Sequence, residues 1–381
     1  MSATELAELT EALVRTESVN PSLDPAGSGE TSAARVVAEW AESQGLRADV
    51  EELASRRVNV LVHAGRGGSR TTMLLGHLDT VGGAAMVEPF AGVVQDGCLH
   101  GRGAYDMKGA VAAALLAARD LDRDGFGGSV VVACAADEEY ASLGAEHLVA
   151  RGPRPDHVIV CEPTDEQLCI AHRGFAGFEI VVRGRAAHGS RPDLGVDAIA
   201  AAGVALTRLA VLSRELLARD PHALLGTPSA HASLISGGQE FSSYPDRSLL
   251  QGERRTLPGE TDDVIAAEVA ALAAGLDAET QLVFSRPPLE TDPGEEVVQA
   301  VARAAGTTSL AGVPFWTDGA LFGAAGISDR DLRAARRGCA RGRGVGRARQ
   351  PRPLQGGVRG RRAPARLDDR STINRLAATR G

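Results

Sequence analysis

The side chains best suited to chemistry are a histidine and a set of carboxylates, most of which follow short apolar runs. They belong to five motifs: GHLDT (76–80), GRGAYDMKG (101–109), DEE (137–139), EPT (162–164) and AAHGS (186–190). A histidine combined with several carboxylates offers an oxygen-rich, nitrogen-poor set of donors that suits zinc, cobalt or manganese. The pattern therefore predicts a metal centre built from loops that follow strands.

The first two motifs have both a chemical and a plain structural interpretation. In GHLDT, His77 ends a strand, and Asp79 is placed to accept the proton of the second imidazole nitrogen, which would fix the tautomer of a metal-bound histidine. A loop histidine beside a capping aspartate is the alternative. In GRGAYDMKG, Asp106 could bridge two cations about 3.5 to 4 Å apart, or serve as a helix N-cap. A dinucleotide fingerprint is disfavoured because Asp106 stands where its third glycine would be.

The carboxylates of the next two motifs also follow buried strands. Asp137, Glu138 and Glu139 come after VVVACAA, and Glu162 comes after HVIVC. Adjacent carboxylates at the end of a buried strand repel one another, so a bound cation is the simplest reason to keep them together. A solvated acidic turn is the alternative. Metals there would lower the pKa of a bridging water towards about 7, and Glu138 is placed to take its proton.

The strand and helix patterns predict an α/β fold with an inserted domain. Between residues 59 and 161, four short apolar strands alternate with two helices, which is typical of a central mixed sheet flanked by helices. From residue 175 the pattern changes to strands around a long helix, which predicts a smaller α+β domain. We therefore predict a catalytic domain of residues 1–174 and 288–327 and an inserted domain of residues 175–287.

Length, charge and hydrophobicity restrict the class of protein. The 381 residues are too many for one small core, and the net charge of −8 argues against a nucleic-acid binder. No stretch approaches the roughly 18 consecutive apolar residues of a membrane span. The N-terminal MSATELAELTEALV is acidic where a signal peptide is basic. We therefore predict a cytoplasmic protein that binds neither membrane nor nucleic acid.

In combination, the motifs between residues 5 and 327 resemble those of the zinc-dependent acylases and exopeptidases, a family that includes acetylornithine deacetylase, succinyl-diaminopimelate desuccinylase, aminoacylase and glutamate carboxypeptidase. The resemblance implies hydrolysis of the amide bond of an N-acyl amino acid or small peptide at two divalent metals, with zinc as the first choice and cobalt or manganese as alternatives. It implies these roles: His77 and Glu162 bind the first metal, Asp106 bridges, Glu139 binds the second, Glu138 is the general base and Asp79 orients His77.

Residues 175–287 resemble the lid and dimerisation domain of this family, which implies a homodimer formed through that domain. His188 matches a histidine that reaches the partner subunit's active site and stabilises the oxyanion; by itself it is typical of a loop or core histidine. Arg255 in ERRTLPGE matches an arginine that holds the substrate carboxylate, with a surface cation as the alternative. Ser242 in FSSYPD replaces the asparagine that the family often has in its substrate-binding loop.

The segment FWTDGALFGAAGI (315–327) also matches and places Thr317 and Asp318 near the substrate cleft, but the resemblance ends at Ile327. Residues 329–381 contain 16 Arg and four Asp with no Lys or Glu, a net charge of +12. In the family this region supplies FGPG and then a histidine ligand of the second metal, whereas this chain has no histidine after His231. The second metal site is therefore predicted to be incomplete.

A shifted reading frame accounts for the tail, defined as residues 328–381. When the codons from Ser328 are read one nucleotide later, the genetic code permits phenylalanine at Leu332, glycine at Arg333 and histidine at Ala340, in the family's order and spacing. We hypothesise a single-nucleotide slip near Ser328, which makes the basic tail an out-of-frame product and not a nucleic-acid arm. Ala340 would then occupy the position of the missing ligand.

Two classes of function follow. The first is a metal-dependent amidohydrolase of the kind described above. The second is a catalytically impaired relative that lacks the second-metal histidine and retains only the fold and the dimer contacts. Metal content and turnover distinguish the two.

Overall fold

The computed structural model describes residues 1–83 and 86–326 in full and Asp331–Arg333 as backbone. The rest of the tail, including Ala340, lies outside the described residues. The chain divides into two compact units. Unit 1 comprises Met1–Ile170, Thr291–Ala311 and the described residues from Thr317 onward, and unit 2 comprises Ala171–Glu290 and Gly312–Trp316.

The bounds of the two units differ from the predicted domain bounds in three places. The boundaries fall at residues 170/171 and 290/291, against the predicted 174/175 and 287/288. Gly312–Trp316, which we predicted in the catalytic domain, groups with unit 2. Its Trp316 donates the indole N–H to the carbonyl of Pro287 at 2.9 Å and packs edge-on against His172 and Phe175. These contacts fix the segment to unit 2.

Eight α-helices lie in the described residues: α1 (Ala3–Arg15), α2 (Thr31–Ser43), α3 (Gly109–Arg123), α4 (Leu143–Arg151), α5 (Ala198–Leu217), α6 (Asp262–Leu272), α7 (Glu296–Ala305) and α8 (Gly319–Ala324). A π-helical turn, Ala104–Lys108, leads directly into α3. Among the helices of the described residues, none combines the length and the hydrophobicity that crossing a membrane requires.

The described strands are β1 (Arg47–Ala54), β2 (Arg57–Gly65), β3 (Thr71–His77), β4 (Val93–Gln95), β5 (Cys98–His100), β6 (Ser129–Ala135), β7 (His157–Val160), β8 (Leu168–His172), β9 (Gly174–Arg183), β10 (Ala187–His188), β11 (Ser229–Gly237), β12 (Ser243–Tyr244), β13 (Arg247–Thr256), β14 (Ala278–Arg286), β15 (Leu289–Glu290), β16 (Leu310–Val313) and β17 (Asp331–Arg333). In unit 1 the sheet has the order β1-β2-β6-β3-β7-β17-β8. Its pairs from β6 to β17 are parallel, and the β1-β2, β2-β6 and β17-β8 pairs are antiparallel. The predicted mixed sheet is confirmed.

Helices cover both faces of the unit 1 sheet. Consecutive residues of its central strands point to opposite faces, and both sets are apolar. Val60 and Val132 belong to a core shared with α1, α2 and α3. Leu61 and Val131, their neighbours in sequence, belong to a second core shared with α4 and α8. A strand buried on both faces is a continuous apolar run, and the polar side chains of β3, β6 and β7 accordingly lie at the strand ends.

Unit 2 contains an antiparallel sheet of order β11-β13-β9-β14. Phe178, Ile180 and Val182 of β9 share a core with α5 and α6. The residues between them in sequence, such as Glu179 and Val181, are only half-buried. Helices therefore cover one face of this sheet, which is the α+β architecture predicted for the insert.

Candidate metal centre

Three neighbouring parallel strands bring the predicted ligands to one edge of the unit 1 sheet. β3 pairs with β6 on one side and with β7 on the other, and His77 lies opposite Ala135. His77 is the last residue of β3, Glu138 and Glu139 come shortly after β6, and Glu162 comes shortly after β7. The carboxyl ends of parallel strands are where α/β sheets form their ligand sites.

A glycine and the π-helical turn bring Asp106 to His77. A Cβ atom at Gly76 would lie 2.9 Å from Val111 Cγ2 and 3.0 Å from Met107 Cε, so β3 can approach this turn closely only with glycine at that position. Asp106 interrupts the helical geometry there, with φ −121° and ψ 99°. Its Oδ1 lies 3.2 Å from His77 Nε2.

His77 Nε2 is common to two groups of donor atoms. Asp106 Oδ1 lies 3.2 Å from it, Glu162 Oε1 3.9 Å and Glu138 Oε2 4.0 Å. One group consists of His77, Asp106 and Glu139, the other of His77, Glu138 and Glu162, and the donor atoms of each group lie within 4.8 Å of one another. One imidazole and two carboxylates per group are donors that suit a divalent cation.

The atom nearest to His77 Nδ1 is the backbone oxygen of Asp79 and not its carboxylate. Nδ1 lies 2.9 Å from Asp79 O and 3.6 Å from Asp79 Oδ1. Since a carbonyl oxygen can only accept, Nδ1 carries a proton and Nε2 faces the carboxylates. The backbone carbonyl of Asp79, and not the carboxylate that we predicted, is therefore the main acceptor of the Nδ1 proton.

The Asp79 carboxylate is engaged elsewhere. Its Oδ1 accepts the backbone N–H of Glu138 and its Oδ2 that of Glu139, each at 3.1 Å. Oδ2 also accepts a hydrogen bond from Asn20 Nδ2 at 2.7 Å. Asp79 thus holds the backbone of the two glutamates that follow β6.

Burial and mutual repulsion raise the pKa values of these glutamates. Burial, with a contribution from the charge of Asp106, raises the pKa of Glu139 from 4.5 to about 8. Burial, followed by the charges of Glu162 and Asp318, raises the pKa of Glu138 well above 4.5. Asp318, a predicted substrate residue, and its buried neighbour Thr317 belong to the same unit as Glu138.

His77 binds its proton tightly in the metal-free site. Burial alone would lower its pKa, but contacts with Asp106 and Asp79 and the charges of Glu138 and Glu162 outweigh burial and raise the pKa well above 6.5. A cation that binds these donors must displace their protons, so metal affinity should increase with pH.

The raised pKa values give a prediction for the stability of the metal-free chain. Folding raises the pKa of Glu139 to about 8 and that of Glu30 to about 7, so their stabilising contribution is complete below about pH 4.5 and is lost as the pH rises through these values. We expect the Tm of the chelator-treated chain to fall between about pH 5 and pH 7. Above this window, Lys108, whose pKa burial lowers to about 7, has the opposite effect.

Differential scanning calorimetry measures this slope, and Glu139→Gln is the control that should make it shallower. Added zinc should reverse the slope, because ligand protons are released on binding. A Tm that rises with pH over this window in the metal-free chain would contradict the assignment of the clustered protons.

Two predicted site residues of unit 2 are exposed. His188 lies on β10, and its Nδ1 accepts the backbone N–H of Ser190 at 3.2 Å. With Nδ1 as acceptor, Nε2 carries the proton and can donate it. The backbone carbonyl of Ser242 accepts the N–H of Gly189 at 2.6 Å, which joins the two loops that carry His188 and Ser242.

Arg255 is paired within unit 2. Its Nε and Nη2 lie 2.6 and 3.1 Å from the two carboxylate oxygens of Glu253. Its guanidinium carbon lies 4.8 Å from the centre of the Phe175 ring. A substrate carboxylate at Arg255 would therefore compete with Glu253.

Buried polar residues that were not predicted from the sequence support the ligands. Lys108 donates from Nζ to the carbonyls of Leu13 and Thr16 at 2.9 and 2.8 Å, which ties the π-helical turn to the end of α1. Its place in GRGAYDMKG is the one signal that the sequence offers. Asn20 and Arg57 are also buried, and they lie outside all of the motifs.

Comparison with known proteins identifies relatives of this chain. The sequence profile of peptidase family M20/M25/M40 matches residues 73–344, a range that extends past Ile327 into the first part of the tail. Acetylornithine deacetylase of Proteus mirabilis (strain HI4320) is 30% identical over 279 residues, which cover 70% of this chain and 72% of that protein. Acetylornithine deacetylase of Myxococcus xanthus is 32% identical over 270 residues, 68% of this chain and 70% of that protein.

Solved structures share the fold. Aminopeptidase PepT from Bacillus cereus has a TM-score of 0.71 at 18% identity, covering 99% of this chain and 95% of that chain. The M20 family metallo-carboxypeptidase Sso-CP2 from Sulfolobus solfataricus has a TM-score of 0.68 at 18% identity, covering 88% and 91%. Because the profile spans well over half of the sequence and includes every segment that supplies a donor at His77, this chain belongs to peptidase family M20/M25/M40, a family of metal-dependent hydrolases.

Proposed function

We propose that the chain is a metal-dependent amidohydrolase that cleaves an N-acyl amino acid or a small peptide at the centre around His77. The observation that carries this proposal is the cluster of carboxylates around His77, whose donor atoms form two overlapping groups. Relatives named acetylornithine deacetylase and a structural neighbour described as a metallo-carboxypeptidase support the class of substrate.

The donors fit two divalent metals, for which we propose zinc, with cobalt or manganese as alternatives. His77 and Glu162 would hold the first metal, Glu139 the second, and Asp106 both. When bound, such metals lower the pKa of a water to about 7 and polarise the scissile carbonyl. His77 is the only histidine in either donor group of the described residues, so the second metal has one nitrogen ligand fewer than the family pattern implies.

Glu138 would move the proton. Its carboxylate is largely buried and lies 4.0 Å from His77 Nε2, close enough to take a proton from the attacking water and return it to the leaving amine. Burial and neighbouring charges raise its pKa well above 4.5 in the metal-free chain. Thr317 and Asp318 would contact the substrate beside it.

We assign His188, Ser242 and Arg255 of unit 2 to substrate recognition. His188 would donate its Nε2 proton to the oxyanion in the partner subunit's site, since Nδ1 already accepts from Ser190. Arg255 would exchange Glu253 for the substrate carboxylate, which its planar guanidinium can bind with two parallel hydrogen bonds. Ser242 would contact the substrate from the neighbouring loop.

A hydrolysis panel tests the proposal. N-acetyl amino acids, N-succinyl amino acids and dipeptides are incubated with added zinc or cobalt and either this chain or a chain with its frame restored at Ser328. Release of the free amino acid from at least one class is expected. If neither chain hydrolyses any of these substrates while both bind metal, the proposal is wrong.

The alternative is a catalytically impaired relative. The observation that favours it is the lack of any histidine after His231, which leaves Ala340 where the second metal needs a ligand. Such a chain would keep the fold and the dimer contacts and bind at most one metal. Metal analysis separates the two functions, because one equivalent without turnover supports the impaired form.

The dimer that we propose would form through α5 and β11. Leu234 and Ile235 of β11 are 55% and 53% exposed, and Ile199, Val204 and Val211 of α5 are about 40% exposed. β11 is an edge strand without an acidic or basic residue other than His231, whereas the opposite edge strand, β14, carries Glu279 and Arg286. Charges protect sheet edges from pairing, so the unprotected edge is the one suited to a second copy of this chain.

A charge at the proposed interface should break the dimer. We expect Ile235→Lys to raise the dimer dissociation constant by about 10²-fold or more, because an unpaired charge would be buried. Val283→Lys on β14, at a residue that is 45% exposed, is the matched control and should leave the dimer intact. Light scattering during size-exclusion chromatography gives the molecular masses of the three chains. If the unsubstituted chain is a monomer, the proposed dimer is wrong.

A further inference from the structure

A buried set of polar side chains lies behind the predicted ligands, and we call it the Asn20 network: Asn20, Glu30, Arg57, Asp79 and Asp137. Each is at most 4% exposed. We propose that Asn20 and Arg57 are positioning residues, which act through Asp79 and Asp137 to fix the backbone of Glu138 and Glu139 and so strengthen metal binding. This inference rests on the metal centre proposed above.

Asn20 connects the members of the network. Its Nδ2 donates to Asp79 Oδ2 at 2.7 Å and to Asp137 Oδ1 at 3.0 Å. Its Oδ1 accepts from Arg57 Nη2 at 2.5 Å and from the N–H of Ser22 at 2.9 Å. The amide thus donates to two carboxylates and accepts from two N–H groups, a combination that neither Asp nor a hydroxyl side chain can provide.

Arg57 balances the charge of the network. Its Nη1 donates to Glu30 Oε1 at 2.7 Å, and its Nη2 lies 2.8 Å from Asp137 Oδ1. With Asp79, the network contains three buried carboxylates and one guanidinium. The planar guanidinium contacts Glu30 and Asp137 at the same time. Removing one partner of a buried ion pair leaves an uncompensated charge, so Arg57 is needed for the carboxylates to keep their places.

The network reaches the metal donors through one turn. Asp137 has φ +71°, a left-handed conformation that residues other than glycine rarely adopt, and its carbonyl accepts the N–H of Tyr140 at 3.2 Å. Asp79 accepts the N–H groups of Glu138 and Glu139 at 3.1 Å each. The turn is therefore held from both sides, and neither Asn20 nor Arg57 is itself a donor in the groups around His77.

A purely structural role for Asn20 makes a different prediction from a positioning role. If Asn20 only fills the core, Asn20→Leu should behave like the unsubstituted chain, because it keeps the size of the side chain and adds no charge beside Asp79 and Asp137. If Asn20 positions the glutamates, Asn20→Leu should fail like Asn20→Ala, because both lose the donors to Asp79 and Asp137. Val62→Ala removes fully buried atoms from the same strand as Arg57 and controls for a general loss of stability.

Two measurements on the full-length chain test the proposal. In the metal-free chain, hydrogen–deuterium exchange of a peptide covering residues 136–142 should speed up in Asn20→Ala and Asn20→Leu and stay unchanged in Val62→Ala. Zinc affinity, measured by competition with a chromophoric chelator, should fall by about 10- to 100-fold in the two Asn20 variants, as is typical for lost outer-shell partners. In Val62→Ala it should stay within about two-fold.

Unchanged exchange of this peptide in folded Asn20 variants would overturn the proposal, as would zinc affinity equal to that of the unsubstituted chain. If the unsubstituted chain binds no zinc, the exchange result alone decides. Neither measurement needs turnover, so a chain that binds zinc without hydrolysing any substrate counts against the proposed function and not against the role of Asn20.

Discussion

Glu138→Gln should lower kcat by about 10²- to 10⁴-fold, the usual contribution of a general base, while the chain still binds its metals. The glutamine keeps the shape of the side chain but cannot take a proton from water. KM should change little, because the substrate contacts remain. We expect the loss in whichever form of the chain hydrolyses the panel, measured by steady-state release of the free amino acid and by metal analysis of the dialysed protein.

The neighbouring residue supplies the control. Glu139→Gln removes the same charge one residue away but takes away the ligand that we propose for the second metal, so metal content should fall together with kcat. If Glu138→Gln loses metal and Glu139→Gln does not, the two roles must be exchanged. A Glu138→Gln variant that retains full kcat would exclude Glu138 as the base.

The sequence predicts the metal centre best at positions where a potential metal ligand directly follows an apolar run. His77 and Glu162 each follow an apolar run, and a strand buried on both faces leaves its end as the one place for a polar side chain. Helix α2 lies at Thr31–Ser43, as its apolar spacing predicts. β1 was missed because it is an edge strand with partly exposed residues, among them Val50 at 54%, which weakens its apolar signal.

The support of the centre was not predictable, because it depends on contacts between distant parts of the chain. Asn20 meets Asp79 and Asp137 across 59 and 117 residues of sequence. Glu253 lies two residues from Arg255, but only the strand geometry shows that the two side chains pair. A motif shows which residue types are present. The orientation of a carboxylate, in contrast, depends on all the hydrogen-bond donors that surround it in the folded chain.

The backbone of the tail gives a physical reason to doubt its reading frame. β17 pairs in parallel with β7 and antiparallel with β8, so it is an interior strand of the unit 1 sheet. Interior strands of sheets covered by helices are rich in apolar residues, yet this one reads Asp331, Leu332, Arg333. The frame that starts one nucleotide later permits Thr, Phe and Gly at these positions, which suits an interior strand followed by a loop.

Restoring the frame at Ser328 should therefore raise kcat/KM by about 100-fold or more and increase bound zinc from one equivalent to two. The reason is that even outer-shell losses cost about 10- to 100-fold in affinity or activity, and a missing ligand costs at least as much. The matched control is a frame-restored chain that keeps Ala340, which isolates the histidine from every other change in the tail. Should that control bind two zinc ions and turn over like the restored chain, the missing histidine would not be the cause. Resequencing that shows an unbroken reading frame, together with similar tails in relatives, would remove the premise of this prediction. If the frame is broken, the histidine that replaces Ala340 in the restored chain decides whether the protein is an amidohydrolase or an impaired relative.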